Sequence, residues 1–171
     1  MSFEFAILDF IREYLSCPLL DSVMKFITFL GDAGWIWILT GVTLLFFKKT
    51  RRIGTTICLA LIFNLVVTNI TLKPLIARTR PFDLAEGIKL ITDKPTDFSF
   101  PSGHSSASFA ASVAIFCNNK KYGAFALVLA LLIAFSRLYL YLHFPSDVLA
   151  GSIIGSVCGY ISYLIIKRIK K

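Results

Sequence analysis

The chain alternates long apolar runs with short charged interruptions. Apolar runs recur at Gly34–Phe47, Ile53–Leu72, Ala107–Cys117, Tyr122–Leu138 and Val148–Ile166, several approaching the roughly 20 residues that a helix needs to cross a bilayer. Most lack the polar stripe that a helix of a soluble protein turns toward water. The pattern predicts an all-α fold, a polytopic membrane helical bundle. The start of the chain reads differently. Ser2–Leu15 sets Glu4, Asp9, Arg12 and Glu13 among Phe3, Phe5, Ile7, Leu8, Phe10 and Ile11, which suits an amphipathic helix in the membrane interface. A short apolar run, Leu19–Leu30, then carries Asp21 and Lys25 and meets Gly-Asp-Ala-Gly at 31–34 before Trp35–Phe47. We read this as a helical hairpin turning outside at Gly31–Gly34. The expectation is six transmembrane helices plus an N-terminal interfacial helix over residues 1–16. The alternative is one kinked span, with the N-terminus outside and five crossings.

Composition sharpens the membrane reading: 56% of residues are hydrophobic and 16% charged, against about a quarter charged in soluble domains. The net charge of +8 raises nucleic acid as a partner, but its distribution argues against one. Ten of the 18 basic residues fall in acid-free clusters at Lys48–Arg52, Lys120–Lys121 and Lys167–Lys171. Such clusters mark cytoplasmic turns and contact anionic headgroups, so the expected partner is the lipid bilayer. With the clusters inside, residues 73–101 form an external loop whose own charges nearly cancel, and the C-terminus is cytoplasmic. The four cysteines stand singly, with no metal-like spacing, and read as free and structural. The acidic start lacks the basic region of a cleavable signal. A single integral-membrane domain, 1–171, is expected.

Ionisable residues at membrane edges are candidates for function because lipid makes them costly. Three polar segments stand out: Lys73–Pro81, Pro101–His104 and Ser136–Asp147. The charge rule alone brings all three to the external face. Lys73, Arg80 and Arg137 supply cations, and arginine grips phosphate oxygens through paired hydrogen bonds. Ser102 is suited to cap a helix, and the amides of Ser102, Gly103 and His104 would point toward an anion. His143 and Asp147 are four residues apart, so Asp147 can hold one imidazole nitrogen and leave the other to attack. His104 then serves as general acid. Two histidines and one well-placed aspartate are too few ligands for a closed zinc site. Arg78, Lys89 and Lys94 read as ordinary loop charges, and Tyr139 and Tyr141 as an interfacial aromatic belt.

The combination Lys-x6-Arg-Pro (Lys73–Pro81), Pro-Ser-Gly-His (Pro101–His104) and Ser-Arg-x5-His-x3-Asp (Ser136–Asp147) resembles the three-part signature of the type 2 phosphatidic acid phosphatase superfamily. The resemblance spans Lys73 to Asp147. It implies hydrolysis of a lipid phosphate monoester or diphosphate with no metal or other cofactor. His143 would be the nucleophile that forms a phosphohistidine, Asp147 its orienting group and His104 the acid. Lys73, Arg80, Ser102, Gly103 and Arg137 would hold the phosphoryl oxygens. An outward site favours undecaprenyl diphosphate over phosphatidylglycerol phosphate, phosphatidic acid or lipid A phosphates as substrate. Transfer of phosphate between lipids, or anion transport through the same cations, are the competing readings. No inverted repeat supports transport.

Overall fold

The computed structural model describes residues 3–169 apart from residue 86. Ser2 of the expected interfacial helix, Glu86 of the loop, and Lys170 and Lys171 of the last basic cluster lie outside the described residues. The fold is 79% helix and holds no strand among the described residues. The helices run α1 (Phe3–Leu15), α2 (Pro18–Leu30), α3 (Trp35–Leu45), α4 (Arg51–Asn64), α5 (Lys73–Ile76), α6 (Pro81–Leu84), α7 (Gly103–Asn118), α8 (Lys120–Tyr139) and α9 (Pro145–Ile169). A π-helical stretch, Leu65–Leu72, carries α4 into α5, so the run ends on Lys73. Outward-facing residues of the long helices are apolar, as with Ile62, Leu65, Phe125, Leu131, Ile153 and Val157. That belt suits lipid and not water.

Helix α7 is the hub, packed against α9, α8 and α4. At 16 residues it is short for a span. Its serines at 105, 106, 108 and 112 are all buried, enclosed by protein instead of lipid. Two stripes of small residues let α7 and α9 approach closely. Gly151, Gly155 and Gly159 of α9 lie against the backbone of Ser102, Ser106 and Ala110. A methyl group on Gly155 would stand 2.1 Å from the Ser106 carbonyl oxygen. Both stripes repeat every four residues, the small-xxx-small spacing that packs membrane helices without large side chains. This register sets Asp147, one turn above Gly151, against Ser102, which caps α7 through Ser105 N–H.

The expected hairpin at Gly31–Gly34 is corrected by the structure. Helix α2 and the segment Asp32–Leu45 meet at a bend of 42°, where a hairpin would reverse direction. The contacts advance in one direction too. Asp21 accepts from Tyr139 Oη, Thr28 accepts from Arg137, Gly31 abuts Ile133 and His104, and Trp37 donates to Ser108. Gly31 and Gly34, with Ala33 at φ 49° and Gly34 at φ 68°, supply a kink and no turn-back. The amphipathic α1 does form, but it lies over the site end, opposite the basic clusters. There Glu4 pairs with Arg78, Asp9 accepts from Tyr141 Oη and Arg12 donates to the Lys89 carbonyl. Leu8, Ile11 and Met24 share a core with Phe82 and Tyr139–Leu142. Tyr139 and Tyr141 are therefore buried, 2% and 1% exposed, and not the expected interfacial belt. Their hydroxyls are satisfied by carboxylates of α2 and α1.

The close α7–α9 approach predicts that Gly155→Leu destabilises the protein by about 3 kcal/mol, the upper end of the range for overpacking. Thermal unfolding in detergent checks this, with Ile153→Leu on the exposed face of α9 expected to be silent. An unchanged midpoint for Gly155→Leu would mean that the glycine stripe does not set the register.

Candidate active site

The site is assembled around Asp147, fully buried in the first turn of α9. Its Oδ2 accepts from Ser99 Oγ at 2.5 Å and from Phe144 N–H at 2.9 Å. Its Oδ1 accepts from Arg78 Nη1 at 2.6 Å, and its carbonyl accepts from Ser102 N–H at 3.0 Å. Burial of an anion is tolerable only with such complete pairing. Arg78 is thus corrected from loop charge to structural partner. Its other amino group donates to Glu4 Oε2 at 2.6 Å, and its guanidinium stacks on Phe144 at 4.1 Å.

His143 lies in the turn between α8 and α9 and is 1% exposed. Its Nδ1 stands 3.7 Å from Asp147 Oδ2, beyond hydrogen-bond reach, and has no other partner. The expected direct hydrogen bond from Asp147 is therefore absent in this arrangement, and the carboxylate only approaches the neutral ring. Its Nε2 accepts from Arg80 Nη1 at 3.2 Å, which requires that nitrogen to be unprotonated. Burial pushes the imidazole down to about 3, with Arg137 and Arg80 adding to the shift against Asp147. The ring is neutral at physiological pH.

Arg80 is 3% exposed and largely held by main chain. It donates to the carbonyls of Leu142 at 2.7 Å and Asp97 at 2.8 Å. Lys73, on α5, is buried and pairs with Asp97 Oδ2. Arg137, in the last turn of α8, donates to Thr28 Oγ1 at 2.5 Å, while its Nε has no partner. These cations, with Gly103, His104 and His143, line a cavity of about 400 Å³. An apolar groove of about 680 Å³ adjoins it between α3 and α4, lined by Ile38, Leu61, Ile62 and Leu65. Lys73, Asp97, Gly103 and His104 border both spaces.

The Pro-Ser-Gly-His segment is divided in its roles. The expectation that the Ser102 amide is free for an anion does not hold, because it donates to Asp147. The Ser102 hydroxyl accepts from Ser105 Oγ at 3.0 Å. Gly103 faces the cavity: a Cβ there would stand 3.7 Å from Lys73 Nζ and 3.2 Å from Asn69 Oδ1. His104 Nε2 lies 2.7 Å from Asp32 Oδ1, at the start of the kinked segment. All eight residues expected at the site therefore converge, Ser102 and Asp147 as framework and the other six on the cavity.

The PAP2 superfamily model matches residues 53–171, which contain every one of these eight positions. The chain belongs to the PAP2 superfamily. It is 32% identical over 151 residues to an undecaprenyl-diphosphatase of Sulfolobus acidocaldarius, covering 88% of this chain and 72% of that protein. The crystal structure of Aquifex aeolicus LpxE superposes with a TM-score of 0.82 at 29% identity, covering 95% of both chains. A PAP2-type phosphatidylglycerolphosphate phosphatase of Bacillus subtilis superposes at 0.79 with 27% identity, covering 98% of this chain and 86% of that one.

Sequence reading missed Asp32, Arg78, Asp97 and Ser99 as parts of this candidate site. Asp32 had a signal, an acid between two glycines in an apolar stretch. The other three sit at no diagnostic spacing within a polar loop. Because the fold keeps His143 neutral while an unfolded imidazole gains its proton near 6.5, this residue costs stability as pH falls from 6.5 toward 3. An isotope-edited NMR titration, assigned with His104→Ala, should find His143 neutral down to pH 5. A midpoint near 6.5 would contradict the buried environment.

Proposed function

We propose that this protein is a metal-independent lipid phosphatase of the membrane, a single domain acting on a phosphate monoester or diphosphate through a phosphohistidine. The observation that carries this is the 400 Å³ cavity in which Lys73, Arg80, Arg137 and two histidines converge beside an apolar groove. The lipid phosphate enters the cavity while its hydrocarbon follows the groove. His143 Nε2 attacks phosphorus as the bond to the lipid oxygen breaks. His104 delivers a proton to that departing oxygen, then takes one from the water that cleaves the P–N bond. Phosphate and free His143 result. Lys73, Arg80 and Arg137, with the Gly103 backbone, hold the charge that spreads over the phosphoryl oxygens. Asp147 is one step removed, positioning His143 through the turn it anchors. Undecaprenyl diphosphate is the favoured substrate, supported by the Sulfolobus relative, with phosphatidylglycerol phosphate next, supported by the Bacillus structure.

The bend at Gly31 supports five crossings: α2 with α3 as one kinked span, α4 with its extension, α8 and α9, together with the shorter α7 that they enclose. Basic clusters end the helices opposite the site, which supports an external site and N-terminus with a cytoplasmic C-terminus. In a variant retaining Cys17 as its one cysteine, a membrane-impermeant maleimide should label that residue in intact cells. Labelling only after the membrane is breached would restore the hairpin and six crossings.

The activity test is phosphate release from a panel of these lipids in detergent, with chelator present. His143→Ala should lower kcat by about 10⁴ or more. His104→Ala should cost about 10²–10⁴ on lipids, and less on p-nitrophenyl phosphate, whose departing oxygen needs no proton. Full activity in His143→Ala, or activity abolished by chelator, would refute the mechanism.

A further inference from the structure

Asp97 lies outside the motif segments and outside the mechanism above, yet its carboxylate sits between two of the site cations. One carboxylate oxygen pairs with Lys73 and the other accepts from Arg80 Nη2 at 2.6 Å. Two of the four lysine and arginine side chains on the cavity are thus bridged by an anion of the protein's own loop. The carboxylate stands where these cations would take two oxygens of a phosphoryl group.

A scaffolding role would be the simpler explanation, but the geometry opposes it. Arg80 is already fixed by two main-chain acceptors, the carbonyls of Leu142 and Asp97. Both remain if the Asp97 side chain leaves. The Asp97 side chain is 52% exposed, whereas those of its partners Lys73 and Arg80 are 10% and 3% exposed. The anion can swing toward water while the cations stay. It also borders the polar cavity and the apolar groove, where a lipid phosphate would arrive.

Resting on the phosphatase reading, we infer that Asp97 is a specificity-determining residue. It acts as a tethered carboxylate that fills the phosphoryl seat and yields only to an anion of higher charge. A phosphodiester headgroup, the commonest phosphate in a bilayer, carries one negative charge and gains nothing by replacing one carboxylate. A terminal phosphate or diphosphate carries about two or more charges and gains the additional attraction of the unneutralised Arg137. Tethering gives the carboxylate an effective concentration on the order of millimolar, enough to exclude weak monoanionic competitors. The enzyme thereby keeps an open cationic site free of bulk lipid.

Isothermal titration calorimetry tests this with two soluble probes, inorganic phosphate and dimethyl phosphate, on the solubilised full chain. Asp97→Asn should bind inorganic phosphate about tenfold more tightly than wild type, the effect of losing one charge-assisted contact to a competitor. It should also bind dimethyl phosphate, which wild type should not. Asp97→Glu should keep the discrimination. Asp97→Ser is read in the same way if the asparagine variant does not fold. Unchanged or weaker phosphate affinity in the neutral variants would overturn the proposal and make Asp97 a support for the cations. The binding readout needs no turnover. Wild type that binds phosphate but hydrolyses no lipid would refute the phosphatase reading and leave this one standing.

Discussion

A single buried carboxylate, Asp147, holds the functional end of the molecule together. Its side chain and carbonyl take donors from the 73–101 loop, the α7 cap and the α8–α9 turn. Through Arg78 and Ser146 it also reaches Glu4 of α1. These segments are far apart in sequence; a shared apolar core of Leu8, Phe82, Tyr139–Leu142 and Phe144 gathers them, and the polar contacts of Asp147 fix their register. An unpaired buried carboxylate costs several kcal/mol, so its three donors, Arg78, Ser99 and Phe144 N–H, are in effect obligatory, and each drags its segment into place. His143 is oriented as a consequence. The glycine stripe on α9 complements this by fixing Ser102 at the right height on the neighbouring helix.

The cations work in the opposite sense. Lys73, Arg80 and Arg137 are drawn out of water close to one another, and Arg137 has no carboxylate partner among the described residues. Like charges at such burial oppose folding, and the structure tolerates them because main-chain carbonyls and Asp97 take up part of the charge. A site with surplus positive charge is destabilised when empty and relieved when an anion enters, the usual exchange of stability for function.

Much of this was legible in the sequence, for physical reasons that can be named. Spacing places His143 and Asp147 one helical turn apart, and basic clusters orient the long helices, so the convergence of eight site residues follows from local rules. Three things were not legible. The Gly31–Gly34 segment has glycines that suit a hairpin or a kink equally, and only packing against α8 and α7 selects the 42° bend. Tyr139 and Tyr141 have the composition of an interfacial belt, but α1 and α2 cover them. Arg78 and Asp97 differ from neighbouring loop charges only in what the fold sets beside them.

In the proposed mechanism, Nε2 of a neutral His143 is the atom that takes the phosphoryl group. Rapid acid-free quenching of enzyme mixed with ³²P-labelled lipid phosphate, followed by peptide mass spectrometry, tests it directly. An acid-labile, base-stable phosphoenzyme mapped to His143 and absent from His143→Ala is expected. Label on His104, or turnover with no phosphoenzyme at any time point, would contradict it.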